Sequence, residues 1–552
     1  MDGIQSTSAP QTWRWALLVS AAGLAHAASI AWPLPVGSAV GLDQGQPLWW
    51  LQIAAMAGLF VALNRATSVR QGAWLGWLFA TALQCGTWWW LFTSLHTYGG
   101  LAWPLSVLAI VALAGFLGLY YAVVCGLYMR LTHSFIAWRA IVFASFWLMA
   151  ELARVQFFTG FPWGEGGYAQ LDGPFDNLAK LVGVHGLTWG AALLAATLAG
   201  LALNGQGRMR ALLGLLLAVG AALGLSSSLR IGADGDQQKS GVWAFSAPLP
   251  AAKPFTVTLL QGNISQDEKF KGGTGIPDAL NWYGRQLLAA NTALIVTPET
   301  ALPLLPEQLP LGYVDTLTDR FTSPPQAGTP PTAALIGIPL GSSADGYTNS
   351  VIGLQPGLAG AMSAKPVVYR YDKHHLVPFG EFVHPLFKWF LALVNIPLSD
   401  FNTGPVSQPS FAWQGQRIAP NICYEDLFGE ELAVRFTDPT QAPTMFVNIS
   451  NIAWFGDSVA IDQHLNISRL RAIEFERPML RATNTGATAV IDYRGQVTHS
   501  LPRLTRGSLQ AEVQGRTGIT PYAWWVGRLG LWPWWTLCST VLILAWIRAR
   551  RP

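Results

Sequence analysis

Apolar runs of about 20 residues, the length a helix needs to cross the hydrocarbon core of a bilayer, recur through the first part of this chain. They fall near 13–33, 47–64, 73–94, 104–129, 136–153, 183–203 and 209–229. An eighth, WWVGRLGLWPWWTLCSTVLILAWI, lies near 524–547. Composition agrees with a membrane protein: 51% of the 552 residues are hydrophobic, only 12% are charged, and 26 are tryptophan. The first run lacks a basic leader and a small-residue cleavage site and is followed by further runs, so it is not read as a cleavable signal peptide. The net charge of +4 is small and the basic residues form no stripe, which sets nucleic acid aside as a partner.

Orientation follows from the arginines that flank these runs, because short cytoplasmic loops retain Lys and Arg. The linkers after runs two, four and six carry Arg65 and Arg70, Arg130 and Arg139, and Arg208 and Arg210. The linkers at 34–46 and 95–103 have neither Lys nor Arg, and the tail RARRP is again basic. Both termini are therefore expected in the cytoplasm, with the long region between run seven and run eight on the opposite face.

That region has a different texture, with ordinary charge density and many Pro and Gly turns. Short β-rich runs, FTVTLLQG, TALIVTPE, AALIGIPL, KPVVYRYDK, RIAPNICYE, TMFVNIS and ATAVIDYRG, alternate with helical pattern in DALNWYGRQLLAA and in DQHLNISRLRAIEFE, where Asp462 is the expected cap. The expected division is a seven-helix membrane domain over 1–230, an α/β domain over 231–520, and a last helix with its tail over 521–552. SSSLRIGADGDQQKSG, around 226–241, reads as the linker.

Of four cysteines, Cys85, Cys125 and Cys538 sit in apolar stretches, where a thiol behaves as a small hydrophobe. Cys423, in PNICYEDLFGE, has no obvious disulfide partner and stands beside carboxylates, which makes it a candidate reactive thiol or else a packed structural one. Two other β runs end in reactive groups: LIVTPET delivers Glu299, and YRYDKHHLVPFGE delivers Lys373 and Glu381. Singly, these are a surface glutamate, a solvated lysine and a packed cysteine. Together they form a Glu, Lys, Cys set at strand ends, where α/β sheets gather their active groups. A thiol with an ordinary pKa of about 8.5 needs help to become a nucleophile. Glu299 could take its proton, and Lys373 with the backbone N–H of Tyr424 could hold an oxyanion, giving a thioester-linked acyl enzyme.

TPET, YDKHHLVPFGE and ICYED resemble the triad motifs of the nitrilase superfamily, and with the membrane runs the chain is similar to its membrane-embedded apolipoprotein N-acyltransferase family. QGNISQDEKF, NIAWFGDS, RLRAIEFERPMLRATNTGATAVID and ELARVQFFTGFPWGEGGYAQ extend the resemblance over nearly the whole chain. It implies a bundle of about eight transmembrane helices with an extramembrane α-β-β-α sandwich, in a bacterial inner membrane with the catalytic domain in the periplasm. The triad would be Glu299, Lys373 and Cys423, supported by Glu381, Tyr424 and Glu425. Trp454 matches a substrate-side tryptophan, and Phe270 and Asn451 are taken with it as substrate contacts. The chain departs from the family pattern at Ile452, where an Asp usually follows the Asn, and at Phe270, which often is Trp. The reaction implied moves an sn-1 acyl chain from a phospholipid, typically phosphatidylethanolamine, to Cys423. It passes from there to the α-amino group of a diacylglyceryl-cysteine at a lipoprotein N-terminus, without a cofactor.

Two other functions compete. A membrane-anchored nitrilase-like amidase would share the acyl enzyme and use water as acceptor. A transporter with an inert outer domain is disfavoured by the scarcity of Asp, Glu and Lys inside the apolar runs. His374, His375 and His384 suggest no metal site, since adjacent strand residues face opposite ways and no ligand spacing completes a set. Glu151 and Arg154 are expected to pair or to touch a headgroup. The clusters TWWWLF and WPWWTL read as interfacial anchors, and FTGFPWGEGGYAQ as either a lipid route or a packed loop.

Overall fold

The computed structural model describes residues 12–35, 41–132, 135–203, 208–234, 253–325, 330–357, 369–383 and 401–550. Much of the expected linker, and the first residues of KPVVYRYDK, fall outside that set.

Each of the first seven apolar runs is a helix: α1 Thr12–Ile30, α2 Trp49–Arg65, α3 Val69–Trp88, α4 Trp103–Leu131, α5 Ile136–Gln156, α6 Ala179–Leu203 and α7 Arg208–Asp234. Their starts follow local rules. Ser68 caps α3 by accepting from the Gln71 N–H, and a proline occupies the first turn of α4. Among the described residues three helical stretches are long and apolar enough to cross a membrane unaided, Trp103–Leu131, Ile136–Thr159 and Asp176–Leu203. At 17 residues, α2 stands at the lower end of the spanning range. The closing run is not one rod. It forms two helices, Pro521–Leu529 and Trp532–Ala549, bent by 80°, and would make a fourth span only if the pair counts as one. Gly530 at the break has φ 55°, a left-handed conformation that ends the first helix, and the second starts with a proline in its first turn.

The α/β region contains two six-stranded sheets. The first has the order β12-β1-β2-β3-β4-β5, built from Phe255–Gln261 (β1), Leu294–Val296 (β2), Ala333–Ser342 (β3), Gly346–Leu354 (β4), Tyr369–Asp372 (β5) and Gly507–Val513 (β12). The second has the order β11-β10-β9-β8-β7-β6, built from Phe411–Trp413 (β6), Gln416–Ile422 (β7), Met445–Ser450 (β8), Met479–Thr483 (β9), Ala489–Ile491 (β10) and Val497–Ser500 (β11). The central strands β1 to β3 and β7 to β9 run parallel. Parallel strands are covered on both faces, so they read as unbroken apolar runs rather than as alternation.

Val257, Leu259, Leu335 and Val351 from one sheet meet Ile418, Ile422, Val447 and Leu480 from the other, which sets the sheets face to face. Helices α8 (Gly275–Ala289) and α9 (Tyr313–Thr322) cover the outside of the first sheet through Tyr283, Leu287, Leu317 and Phe321. The outside of the second is covered by a short helix α10 (Gly429–Ala433), by α11 (Ala460–Phe475) and by α12 (Pro521–Leu529), together with Leu148, Leu152 and Val155 of α5. The result is an α-β-β-α sandwich. One of its outer layers is built partly from the apolar bundle. Asp462 does not cap α11, which begins two residues earlier without a side-chain cap; Asp462 lies in the first turn and pairs with Arg503 at 2.6 Å.

Candidate active site

Strand register assembles the site. β4 and β5 pair antiparallel with Ser350 opposite Asp372, so the next residue, Lys373, lies beside Asn349 and donates its N–H to the Asn349 carbonyl at 2.8 Å. β7 and β8 pair parallel with Ile422 opposite Ile449, which puts Cys423 level with Ser450. Glu299 follows β2 after two residues.

Glu299, Lys373 and Glu381 form one buried ion cluster. The Lys373 ammonium, 1% exposed, lies 3.2 Å from Glu299 Oε1 and 2.8 Å from Glu381 Oε2. Asn349 ties the two carboxylates together, donating to Glu299 Oε1 at 2.6 Å and to Glu381 Oε1 at 2.8 Å. Glu299 Oε2 accepts from the Asn451 N–H at 2.8 Å, and Glu381 Oε2 from the Val377 N–H at 3.0 Å. Burial alone would raise the Glu299 carboxyl, but Lys373, Lys269 and the hydrogen bonds from Asn349 and Asn451 outweigh it and hold the acid below its ordinary value. Burial would likewise strip Lys373 of its proton. The charges of Glu299 and Glu381 reverse that and push it above the usual lysine range.

Cys423 begins a 3₁₀ turn, Cys423–Leu427, directly after β7, and its φ of 53° is a left-handed conformation that a non-glycine residue adopts only under constraint. Contacts along the turn hold it. The Cys423 carbonyl accepts from Asn448 Nδ2 at 3.1 Å and lies 3.1 Å from His464 Nε2. Glu425 folds back to accept from the Ile422 N–H at 2.5 Å, the His374 N–H at 2.6 Å and the Tyr371 hydroxyl at 2.9 Å, locking the turn to the exit of β5. Asp426 is held by His464, Ser468 and Arg481 in a dry network. Arg481 donates to His464 Nδ1 at 3.1 Å, so Nε2 carries the imidazole proton and points it at Asp426 and the Cys423 carbonyl. Burial pushes the Cys423 thiol up to about 12, and Glu299 adds to this while Lys373 and a Ser450 hydrogen bond oppose it.

The structure thus brings Glu299, Lys373, Glu381, Cys423 and Glu425 together. Tyr424 is buried, its hydroxyl donating to the Gly160 carbonyl at 3.2 Å. Asn451 has its side chain enclosed between Gln266 and Asn484, at 2.8 and 3.0 Å, while its N–H holds Glu299. Trp454 is half-buried in the turn Ile452–Phe455; its carbonyl accepts from Ser94 at 2.7 Å and its ring meets Tyr98 edge-on. Phe270 is exposed. Lys269, Asn349 and the Asp426 network were not singled out from sequence.

Other expectations shift. Glu151 and Arg154 do not grip each other among the described contacts; both hold the loop FTGFPWGEGGYAQ. Arg154 donates to the carbonyls of Phe161 and Trp163 at 3.0 and 2.8 Å, and Glu151 accepts from the Gly166 N–H at 3.2 Å. That loop is largely packed, with Trp163 and Tyr168 buried. In TWWWLF only Trp89 faces outward; Trp88 and Trp90 are buried and hydrogen-bonded to the Trp163 carbonyl and to Gln463. His374 Nδ1 bonds the Gly404 carbonyl and His375 Nδ1 meets Glu431, while His384 lies outside the described residues.

Residues 37–197 match the family model of the apolipoprotein N-acyltransferase N-terminal domain, and residues 278–522 match that of carbon-nitrogen hydrolases. An apolipoprotein N-acyltransferase of Verminephrobacter eiseniae is 54% identical over 535 residues, covering 94% of this chain and 93% of that one. The chain belongs to the apolipoprotein N-acyltransferase family. A further apolipoprotein N-acyltransferase, from Ralstonia nicotianae, is 41% identical, with 97% of this chain and 96% of that one covered. Among solved structures, a Nesterenkonia amidase of the nitrilase superfamily aligns over 52% of this chain and 100% of its own, at 15% identity and a TM-score of 0.33. The chain is accordingly an acyltransferase of the nitrilase superfamily carrying apolar helices of membrane-spanning length.

Proposed function

We propose that the chain transfers an acyl chain from a phospholipid to the α-amino group of a lipoprotein's N-terminal diacylglyceryl-cysteine through a thioester on Cys423. In the first half-reaction the sulfur attacks the sn-1 ester carbonyl and Glu299 takes the thiol proton. The tetrahedral intermediate collapses, and the lysophospholipid leaves as an alcohol with that proton. In the second, the α-amine attacks the thioester, its proton passes to Glu299, and the departing sulfur recovers it as a thiol. The products are an N-acylated lipoprotein and free enzyme, and no water is consumed.

The buried cluster of Glu299, Lys373 and Glu381 beside a strained strand-end cysteine carries this reading. Burial raises the thiol while Lys373, Lys269 and hydrogen bonds lower the neighbouring carboxyl, so free proton transfer between them is uphill and thiolate is not formed in advance. The proton moves as the sulfur attacks. Lys373, which stays charged, and the Tyr424 N–H take the oxyanion. Glu381 and Asn451 keep Lys373 and Glu299 in place, Glu425 fixes the nucleophile's turn, and Trp454 and Phe270 border the lipid's path.

Membrane placement rests on the outer faces of the helices. Leu17 and Leu24 of α1, Leu108 and Val123 of α4, and Leu216 and Leu217 of α7 are exposed, a surface that suits acyl chains rather than water. In this reading the helices of 1–230 and the bent pair close an eight-span bundle in a bacterial inner membrane. Residues 231–520 form the periplasmic catalytic domain, both termini are cytoplasmic, and phosphatidylethanolamine is the donor. Both substrates then have tails in the bilayer and reacting groups at its surface, where positioning supplies much of the rate.

The test is intact-mass spectrometry of the purified chain after incubation with a defined phospholipid, beside Cys423→Ala. We expect a hydroxylamine-sensitive gain of one acyl chain in the native enzyme alone, discharged by a diacylglyceryl-cysteine peptide and not by buffer. Discharge by water would make the chain an amidase-like hydrolase; no adduct on folded protein would remove the lipid donor.

A further inference from the structure

Lys269 lies in QGNISQDEKF, after β1, and the reaction above leaves it without work. Its side chain is buried, and its ammonium donates to the Glu299 carbonyl at 3.0 Å. Among the described residues it makes no ion pair within 4.0 Å. An ammonium taken out of water without a carboxylate in contact is costly, so it persists only where a nearby negative charge offsets the loss. Its ammonium sits against the main chain of Glu299, and the charges that favour its protonated form are those of Glu299 and, on ionisation, Cys423.

Those two groups give it a task. When Cys423 loses its proton to solvent, as in alkylation without substrate, its sulfur, Glu299 and Glu381 carry three negative charges and Lys373 returns one positive, whereas in acyl transfer Glu299 holds that proton and the excess is one. Arg481 also faces Cys423, but Asp426 cancels it at 3.3 Å. Without another cation the thiolate formed by loss to solvent would stand in a pocket bearing two net negative charges. Burial draws the Lys269 ammonium down to about 8, which leaves it charged at neutral pH, and the approach of a sulfur anion would only hold its proton more firmly.

We infer that Lys269 is a positioning residue of this site, fixing the main chain of Glu299 through its carbonyl and supplying the second positive charge that favours ionisation of Cys423. The inference rests on Cys423 being the nucleophile. Its neighbour Phe270 is exposed, with its ring centroid 5.9 Å from the Lys269 ammonium, so the dipeptide spans from the charge cluster to the open surface.

The experiment measures alkylation of Cys423 by iodoacetamide against pH in the full chain in detergent, quantifying the Cys423 peptide by mass spectrometry so that the other three cysteines do not interfere. Lys269→Met should move the profile up by one pH unit or more, about tenfold slower alkylation at a fixed pH on the rising limb. Lys269→Arg should restore most of the native profile. Lys269→Gln serves as the neutral variant if the methionine fails to fold. A neutral variant with the native profile overturns the inference, and so does an arginine variant shifted as far as the methionine, which would mark a packing role. No lipid is present, so a shifted profile in an enzyme that forms no acyl adduct would sink the acyl-transfer reading and leave this one standing.

Discussion

Glu425 shows how much of this site is a matter of single side chains. Its carboxylate is the buried acceptor for the Tyr371 hydroxyl and for the N–H groups of Ile422 and His374, with the His375 N–H at 3.3 Å. Leaving one buried donor unpaired costs about 1–3 kcal/mol, so Glu425→Ala should destabilise the fold by at least ~3 kcal/mol. Glu425→Gln, which keeps one acceptor oxygen, should fall between. Thermal unfolding in detergent would show this as two graded drops in midpoint, and an alanine variant with the native midpoint would refute it. The candidate triad was legible because each member stands at or within a few residues of the end of a strand run, a local signal. Lys269 was not: in the string QDEK it reads as a solvated charge, and only chain folding carries it under Glu299. Asn349 was hidden for the same reason, since an asparagine in TNSV gives no sign that it bridges two acids.

Among the elements, α11 does most to seat the sandwich on the apolar helices. Gln463 accepts from the indole N–H groups of Trp90 and Trp163 at 3.0 and 2.8 Å and donates to the Thr87 carbonyl at 3.2 Å. Gln463→Leu would keep the bulk and strand two buried donors. Backbone hydrogen exchange over 87–98 and 455–465 should then quicken at least tenfold, the equivalent of about 1.4 kcal/mol of local loosening. Unchanged exchange would mean that packing alone holds the joint. The seven strand runs read from sequence all contain strands, because β-branched and apolar residues cluster there. Five strands were missed, Gly346–Leu354, Phe411–Trp413, Met479–Thr483, Val497–Ser500 and Gly507–Val513; the first is diluted by Asn, Ser and Gly, and the third carries the charged Arg481. The break at Gly530 was missed because an apolar run looks continuous whether or not its backbone bends.

At the scale of the molecule, the sandwich is not self-contained. Tyr424, Leu427, Phe428, Ile452, Ile461 and Leu470 share one apolar core with Trp88, Trp90, Trp163 and Tyr168 of the helical part. Residues 253–520 expressed alone would expose that core to water, and we expect them to aggregate or to lack a cooperative thermal transition. A soluble, cooperatively folding fragment would show that the shared core is dispensable. Sequence separated two textures but could not reveal their fusion, since a buried aromatic reads alike whether its neighbour is a strand or an apolar helix. The link from the Tyr424 hydroxyl to the Gly160 carbonyl places this fusion one residue from the reactive thiol. In the reaction proposed above, Cys423 therefore rides at a height above the lipid set by the helices it packs against. A substrate must bring its own reacting carbonyl or amine to that height, and so the bilayer itself acts as the ruler by which the two lipids are admitted.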